Sequence, residues 1–159
     1  MFAKNRIAVF LVLGVALALW SAGCCTLGIS SCTRTDTLTL AGSARLNACG
    51  EDNRSHPVTV RFLYLKDTHI FATSSFEELW SDPVGQLGAD LLEGYKEVIL
   101  APGTEKAVEL TRPEGARTVA MLVNFCAEGD INSRRYLFPL HSKGLEKTVN
   151  LQGVNFSVK

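Results

Sequence analysis

Apolar and polar positions alternate strictly from Leu38 onward, with Leu38, Leu40, Gly42, Ala44, Leu46 and Ala48 on one face and Thr37, Thr39, Ser43, Arg45 and Asn47 on the other. A period of two is the signature of a half-buried strand, so the pattern predicts one long strand with a polar outer face. The small residues Gly42 and Ala44 on its inner face predict a bend or a close neighbour there. A polar loop, Gly50 to Ser55, closes at His56-Pro57 and leads into a second strand, Val58 to Leu65. That strand is apolar on both faces near its end, which predicts a cover on its far side. Ser74-Ser75-Phe76-Glu77 has the Ser-x-x-Glu spacing of a capping box, and Phe76, Leu79 and Trp80 then make one helical face. Asp82-Pro83 ends this short helix, and Gly85 to Leu92 adds a further turn.

The rest of the chain returns to strand patterning: Tyr95–Leu100, Ala107–Leu110, Thr118–Phe125, Tyr136–Leu140 and Thr148–Val158, punctuated by turns at Ala101-Pro102-Gly103 and Pro113-Glu114-Gly115. About seven short strands at this spacing predict a mainly β, antiparallel sandwich with a short helical addition.

The N-terminus follows a different pattern. Lys4 and Arg6 precede a 14-residue apolar run, Ile7 to Trp20, broken only by Gly14. Crossing a hydrocarbon layer takes roughly 20 apolar residues, so the run is predicted to be an export signal and not a membrane span. Ser21-Ala22-Gly23-Cys24 resembles a bacterial lipobox, although a leucine is usual where Ser21 stands. Cleavage before Cys24 makes residues 1–23 the signal peptide, 24–34 a lipidated tether and 35–159 the folded domain. Cys25 follows the lipidated cysteine in place of Asp, which predicts the outer membrane, periplasmic face.

Removing Lys4 and Arg6 from the 16 basic residues leaves 14 against 16 acidic ones, a net charge of −2, with no block of like charge. No nucleic-acid partner is expected. Export also sets the redox compartment, since disulfides persist outside the cytoplasm. With Cys24 reserved for lipid, Cys25, Cys32, Cys49 and Cys126 allow three pairings. Cys49 with Cys126 is favoured because both stand at ends of predicted strands. The spacings include no CxxC, and no metal site or cofactor is expected. The sequence has no GxSxG, HExxH or SxxK motif and no phosphate-cradling glycine loop, and His56, His69 and His141 fall in predicted loops or at strand ends, so no catalytic residues are assigned.

Pro57-Val58-Thr59-Val60-Arg61, Leu65-Lys66-Asp67, Phe76 with Leu79, Leu87-Gly88-Ala89-Asp90-Leu91-Leu92 and Leu100-Ala101-Pro102-Gly103 occur in an order that resembles the outer-membrane lipoprotein of type VI secretion systems, the TssJ family. The likeness runs from Leu38 to Phe125 and loosens after Ala127. It implies a transthyretin-like two-sheet sandwich and a non-enzymatic role, tethering the secretion complex to the outer membrane by binding the periplasmic C-terminal region of TssM. It further implies that the loop between the first two strands carries the contact, which places Asn47, Glu51, Asp52, Asn53, Arg54 and His56 at the interface. No small-molecule substrate is expected on this reading. The alternative is a generic periplasmic ligand-binding or inhibitor lipoprotein, which an aromatic-lined internal pocket would favour.

Overall fold

Among the described residues the strand alternation is realised as eight strands in two four-stranded sheets: β1 (Arg34–Gly42), β2 (Val58–Leu65), β3 (Leu91–Leu100), β4 (Glu105–Arg112), β5 (Thr118–Asn124), β6 (Arg135–Pro139), β7 (Glu146–Gln152) and β8 (Asn155–Val158). The structure, a computed structural model, describes residues 34–126 and 134–159. The expected signal peptide, Cys24, Cys25 and Cys32 lie outside the described residues. Arg34, expected at the end of the tether, is the first residue of β1.

One sheet has the order β4-β1-β7-β8 and the other β3-β2-β5-β6. Leu38 and Leu40 from β1, Val60 and Phe62 from β2, Met121 and Val123 from β5, and Val149 and Leu151 from β7 fill the space between them. Every pairing is antiparallel except β1 with β7, which runs parallel from Thr37↔Glu146 to Gly42↔Leu151. The expectation of an all-antiparallel sandwich misses this pair, because strand direction depends on how distant segments meet and leaves no mark on local alternation.

β2 is apolar on both faces for a reason visible in the packing. Leu63 and Leu65, with Ala120 and Leu122 of β5, face outward and are covered by Phe71, Phe76, Leu79 and Leu87. Those residues come from three short helices, α1 (His69–Thr73), α2 (Phe76–Ser81) and α3 (Pro83–Leu87), followed by a 3₁₀ turn at Gly88–Asp90. Helix α1 is absent from the sequence expectation, and it places His69 at a helix start. The capping box lies one residue later than expected, on Ser75 and Glu78. Ser74 is unavailable because its backbone N–H donates to the Ile70 carbonyl at the end of α1, and its hydroxyl also donates there. The backbone N–H of Ser75, and then its hydroxyl, hold the Glu78 carboxyl below its usual range.

Two further expectations are corrected by the tertiary structure. The long first strand stops at Gly42, where a Cβ would lie 3.0 Å from Leu46 Cδ2 and 3.1 Å from the Ala101 carbonyl oxygen. The chain turns over residues 44–47, and Leu46 reaches the core from that turn, so its apolar spacing imitates a strand that has already ended. The segment Thr148–Val158 is a hairpin, with Gly153 at φ +57° in its turn.

A buried polar cluster joins the strands at the end where β1 begins. Asp36 is fully buried and accepts hydrogen bonds from Tyr64 Oη at 2.7 Å, Leu145 N at 2.6 Å and Arg112 Nε at 2.9 Å, with a second contact from Arg112 Nη2. Arg112 also donates to the carbonyls of His141 at 2.7 Å and Lys143 at 3.2 Å. Burial alone would raise the Asp36 pKa; the bonds from Arg112, Leu145 N and Tyr64 outweigh it and hold the carboxyl below its usual range. Burial, reinforced by Asp36, pushes the Tyr64 hydroxyl far above its usual range.

Candidate functional site

The connection between β1 and β2 is built from its base outward. Leu46 plugs into the core, and Asn47 follows with φ +51°, a left-handed conformation that asparagine tolerates better than most residues. Its side chain is spent on the backbone: Nδ2 donates to the Pro57 carbonyl at 3.0 Å, and Oδ1 accepts from Cys126 N at 2.7 Å. The Asn47 N–H donates to the Gly153 carbonyl at 2.6 Å, which ties the loop to the β7–β8 turn. Ser43 links it to the β3–β4 turn by accepting from Gly103 N at 3.0 Å.

Above this base the chain forms a small hairpin. Cys49 and Arg54 make an isolated antiparallel bridge around the turn Gly50–Asn53, in which Gly50 has φ +81° and Asn53 φ +48°. Gly50 supplies the backbone conformation that a residue with a Cβ would strain to adopt. Cys49 Sγ is bonded to Cys126 Sγ, with 6.3 Å between the Cα atoms, which fastens the hairpin base to the end of β5. Ser55 Oγ donates to the Ala44 carbonyl at 2.8 Å, and His56 N to the Leu46 carbonyl at 3.2 Å.

The tip is charged and open to solvent. Glu51, Asp52, Asn53, Arg54 and His56 are exposed. Asp52 and Arg54 pair at 3.1 Å, an exposed contact worth about 0–1 kcal/mol. Asn47 differs from the other five expected interface residues, because it is only 4% exposed and both ends of its amide are occupied. It therefore positions the loop and is not available to touch a partner. The sequence approach missed this because an asparagine in a polar loop has the same local pattern whether it faces inward or outward. Arg45, exposed beside the same base, was not among the expected residues.

Among the described residues no group of three or more His, Cys, Asp or Glu side chains is placed to hold a metal ion. The space between the sheets is occupied by close-packed side chains. At the edge of that space, between β3 of one sheet and β4 of the other, a cleft of about 150 Å³ is lined in part by Phe62, Tyr64, Leu92, Tyr95, Glu93 and Glu109. Among the described residues no helix is long and apolar enough to cross a membrane.

The family model for type VI secretion lipoproteins (VasD, EvfM, TssJ) matches residues 34–154, which is most of the chain. The chain belongs to this family. Its fold also matches that of the type VI secretion lipoprotein TssJ1 from Pseudomonas aeruginosa, with TM-score 0.70 and 21% identity over 80% of this chain and 95% of that one. Serratia marcescens Lip, described as a membrane-bound component of the type VI secretion system, matches with TM-score 0.72 and 20% identity over 80% and 96%. A chain in the structure of the type VI secretion protein TssM C-terminal domain from EAEC matches with TM-score 0.67 and 18% identity over 79% and 98%. At these identities the structural matches establish a shared fold. No curated protein matches the sequence. Within this TssJ-family chain the matched region takes in the whole of the first loop and both cysteines of its disulfide.

Proposed function

We propose that this TssJ-family lipoprotein is anchored in the outer membrane through lipid on Cys24, binds the periplasmic C-terminal region of a TssM-type protein, and so ties the type VI secretion complex to that membrane. The observation that carries the reading is the first loop, a charged hairpin held rigid at its base and open at its tip. A surface fixed before binding loses little conformational freedom on contact. The exposed set Glu51, Asp52, Asn53, Arg54 and His56 supplies the contact, and Asn47 with the Cys49–Cys126 bond keeps it in position. Family membership and the likeness to a chain in a TssM structure support the choice of partner. The packed apolar residues between the sheets support a binding role at the surface.

The lipid supplies the membrane half of the tether. Each buried CH₂ contributes about 0.8 kcal/mol, so several acyl chains on one cysteine anchor the domain durably where a single chain would not. No reaction is assigned to the protein on this reading.

The test is binding of the domain Arg34–Lys159 to the periplasmic region of TssM from the same strain, with Glu51, Asp52 and Arg54 intact or all replaced by Ala. Micromolar or tighter binding that is lost on substitution supports both role and site. Binding that survives substitution moves the interface elsewhere, and no binding to the intact domain overturns the role.

A further inference from the structure

The strands run between two ends of the sandwich, one where the described chain enters at Arg34 and one that carries the first loop. On the outer face of the β3-β2-β5-β6 sheet, helices α1, α2 and α3 cover Leu63, Leu65, Ala120 and Leu122. Toward the first loop the cover stops at Trp80, whose carbonyl accepts from Arg61 Nη1. Beyond it Thr59 of β2 lies opposite Ile99 of β3, on the same outer face as Leu63 and Leu65. Val98 and Leu100, on either side of Ile99, point into the core. Ile99 itself is 61% exposed, more than any other large apolar side chain among the described residues.

Two rings and a guanidinium form the margin of this bare face. Arg61 stands 3.8 Å from the Trp80 ring and 4.7 Å from the Tyr95 ring, and its Nε donates to Glu97 at 2.7 Å. Trp80 is half-buried and Tyr95 is 42% exposed. These contacts hold the three side chains in place before any partner arrives, and Trp, Tyr and Arg are the residue types that concentrate binding energy at interfaces. An isoleucine left open on an edge strand invites contact as well. The face also adjoins the first loop. Thr59 is two residues, roughly 7 Å of extended strand, from Pro57, whose carbonyl accepts from Asn47 Nδ2. Past Ile99, the β3–β4 turn is joined to Ser43 through Gly103 N.

We infer that this bare face, Ile99 and Thr59 with the Trp80–Arg61–Tyr95 stack at its margin, is a second part of the surface that docks the TssM-type partner, continuous with the first loop. The inference rests on the proposed binding of that partner. The size of the loop argues for it. A specific interface buries about 800 Å² on each side and takes in roughly 20–30 residues. The five exposed residues of the loop tip are about a quarter of that at most, so the partner has to reach onto an adjoining surface. The β3–β4 and β7–β8 turns present mainly small and polar residues there, among them Gly103, Thr104, Gln152 and Gly153. The face that bears Ile99 instead combines an apolar centre with an exposed acidic rim at Glu97, the arrangement expected of an interface core and its surround.

The experiment uses the full lipidated chain in detergent micelles, with and without the periplasmic region of TssM from the same strain, and reads hydroxyl-radical oxidation of the aromatic side chains by mass spectrometry. Trp80 and Tyr95 are expected to be protected in the complex, while Tyr136, exposed on β6 at the far edge of the same sheet, reacts alike in both samples. Ile99→Glu is expected to weaken binding at least about thirty-fold, the effect of losing a hot-spot side chain. Thermal unfolding reports whether that variant keeps the fold, and if it does not, the wild-type oxidation pattern decides. Binding that is lost when Glu51, Asp52 and Arg54 are replaced by Ala, yet leaves Trp80 and Tyr95 unprotected, overturns this inference alone. So does a folded Ile99→Glu chain that binds as tightly as wild type, including where the substitution dissociates a dimer of the chain itself and so assigns the face to a second copy. A wild-type chain that does not bind TssM overturns the proposed partner and this inference together.

Discussion

Asp36 is fully buried, and its carboxylate joins β1, β2, β4 and the approach to β7 in one cluster. Replacing it with Ala leaves the Arg112 guanidinium, 7% exposed, with no counter-charge, and losses of about 3–5 kcal/mol are expected when a buried pair is broken on one side. Urea unfolding of Asp36→Ala against wild type measures this. The pH dependence has a definite sign. A carboxyl held below its usual range in the folded state stabilises fully above about pH 4 and loses that contribution as pH falls through the folded value. Wild type should therefore lose stability more steeply than Asp36→Asn on acidification below about pH 4, as read by denaturant titrations across that window. Nothing in the local pattern singles out Asp36. It stands between Thr35 and Thr37 as one polar residue among several, and its partners Tyr64, Arg112 and Leu145 are far along the chain. Asn47 hides its role in the same way.

At the scale of elements, the helical cover depends on attachment more than on helix strength. Helices of five or six residues are not stable alone, so α1, α2 and α3 persist through the burial of Phe71, Phe76, Leu79 and Leu87 on β2 and β5. Arginines clip them down: Arg61 lies between the rings of Trp80 at 3.8 Å and Tyr95 at 4.7 Å, and Arg134 lies 3.5 Å over Phe76 while pairing with Glu77 at 3.1 Å. Ser75→Ala removes the hydroxyl that accepts from Glu78 N at 3.2 Å and is expected to cost about 1 kcal/mol, measurable by thermal unfolding. Ser74→Ala tests a different contact, because Ser74 belongs to the end of α1. The sequence contains two overlapping Ser-x-x-Glu matches, and the choice between them depended on where the preceding helix ended. The two-faced apolar pattern of β2, by contrast, was legible from the start, because a strand covered on both sides must be apolar on both.

For the molecule as a whole, the Cys49–Cys126 bond closes a loop of 77 residues and ties the first connection to the end of β5. A loop of that length is expected to contribute about 4 kcal/mol, mainly by restricting the unfolded chain. Denaturant unfolding with and without reductant checks the figure, and reduction should also weaken TssM binding if the first loop is the contact. The division of the sandwich into a chain-entry end and a first-loop end belongs to this scale too, because it follows from strand direction and not from any one residue. By itself the sequence determined that the domain is β-rich with alternating strands, that a capped helix follows the second strand, and that its ordered motifs resemble those of one lipoprotein family. These depend on neighbours a few residues apart, where backbone periodicity and turn chemistry act. Only the tertiary structure decided that β1 ends at Gly42, that β7 runs parallel to it, that Asn47 faces inward, and that Asp36 meets Arg112. Each of these depends on which distant backbone comes close enough to pair, exclude a Cβ or strip water from a charge, and that proximity exists only once the two sheets have closed.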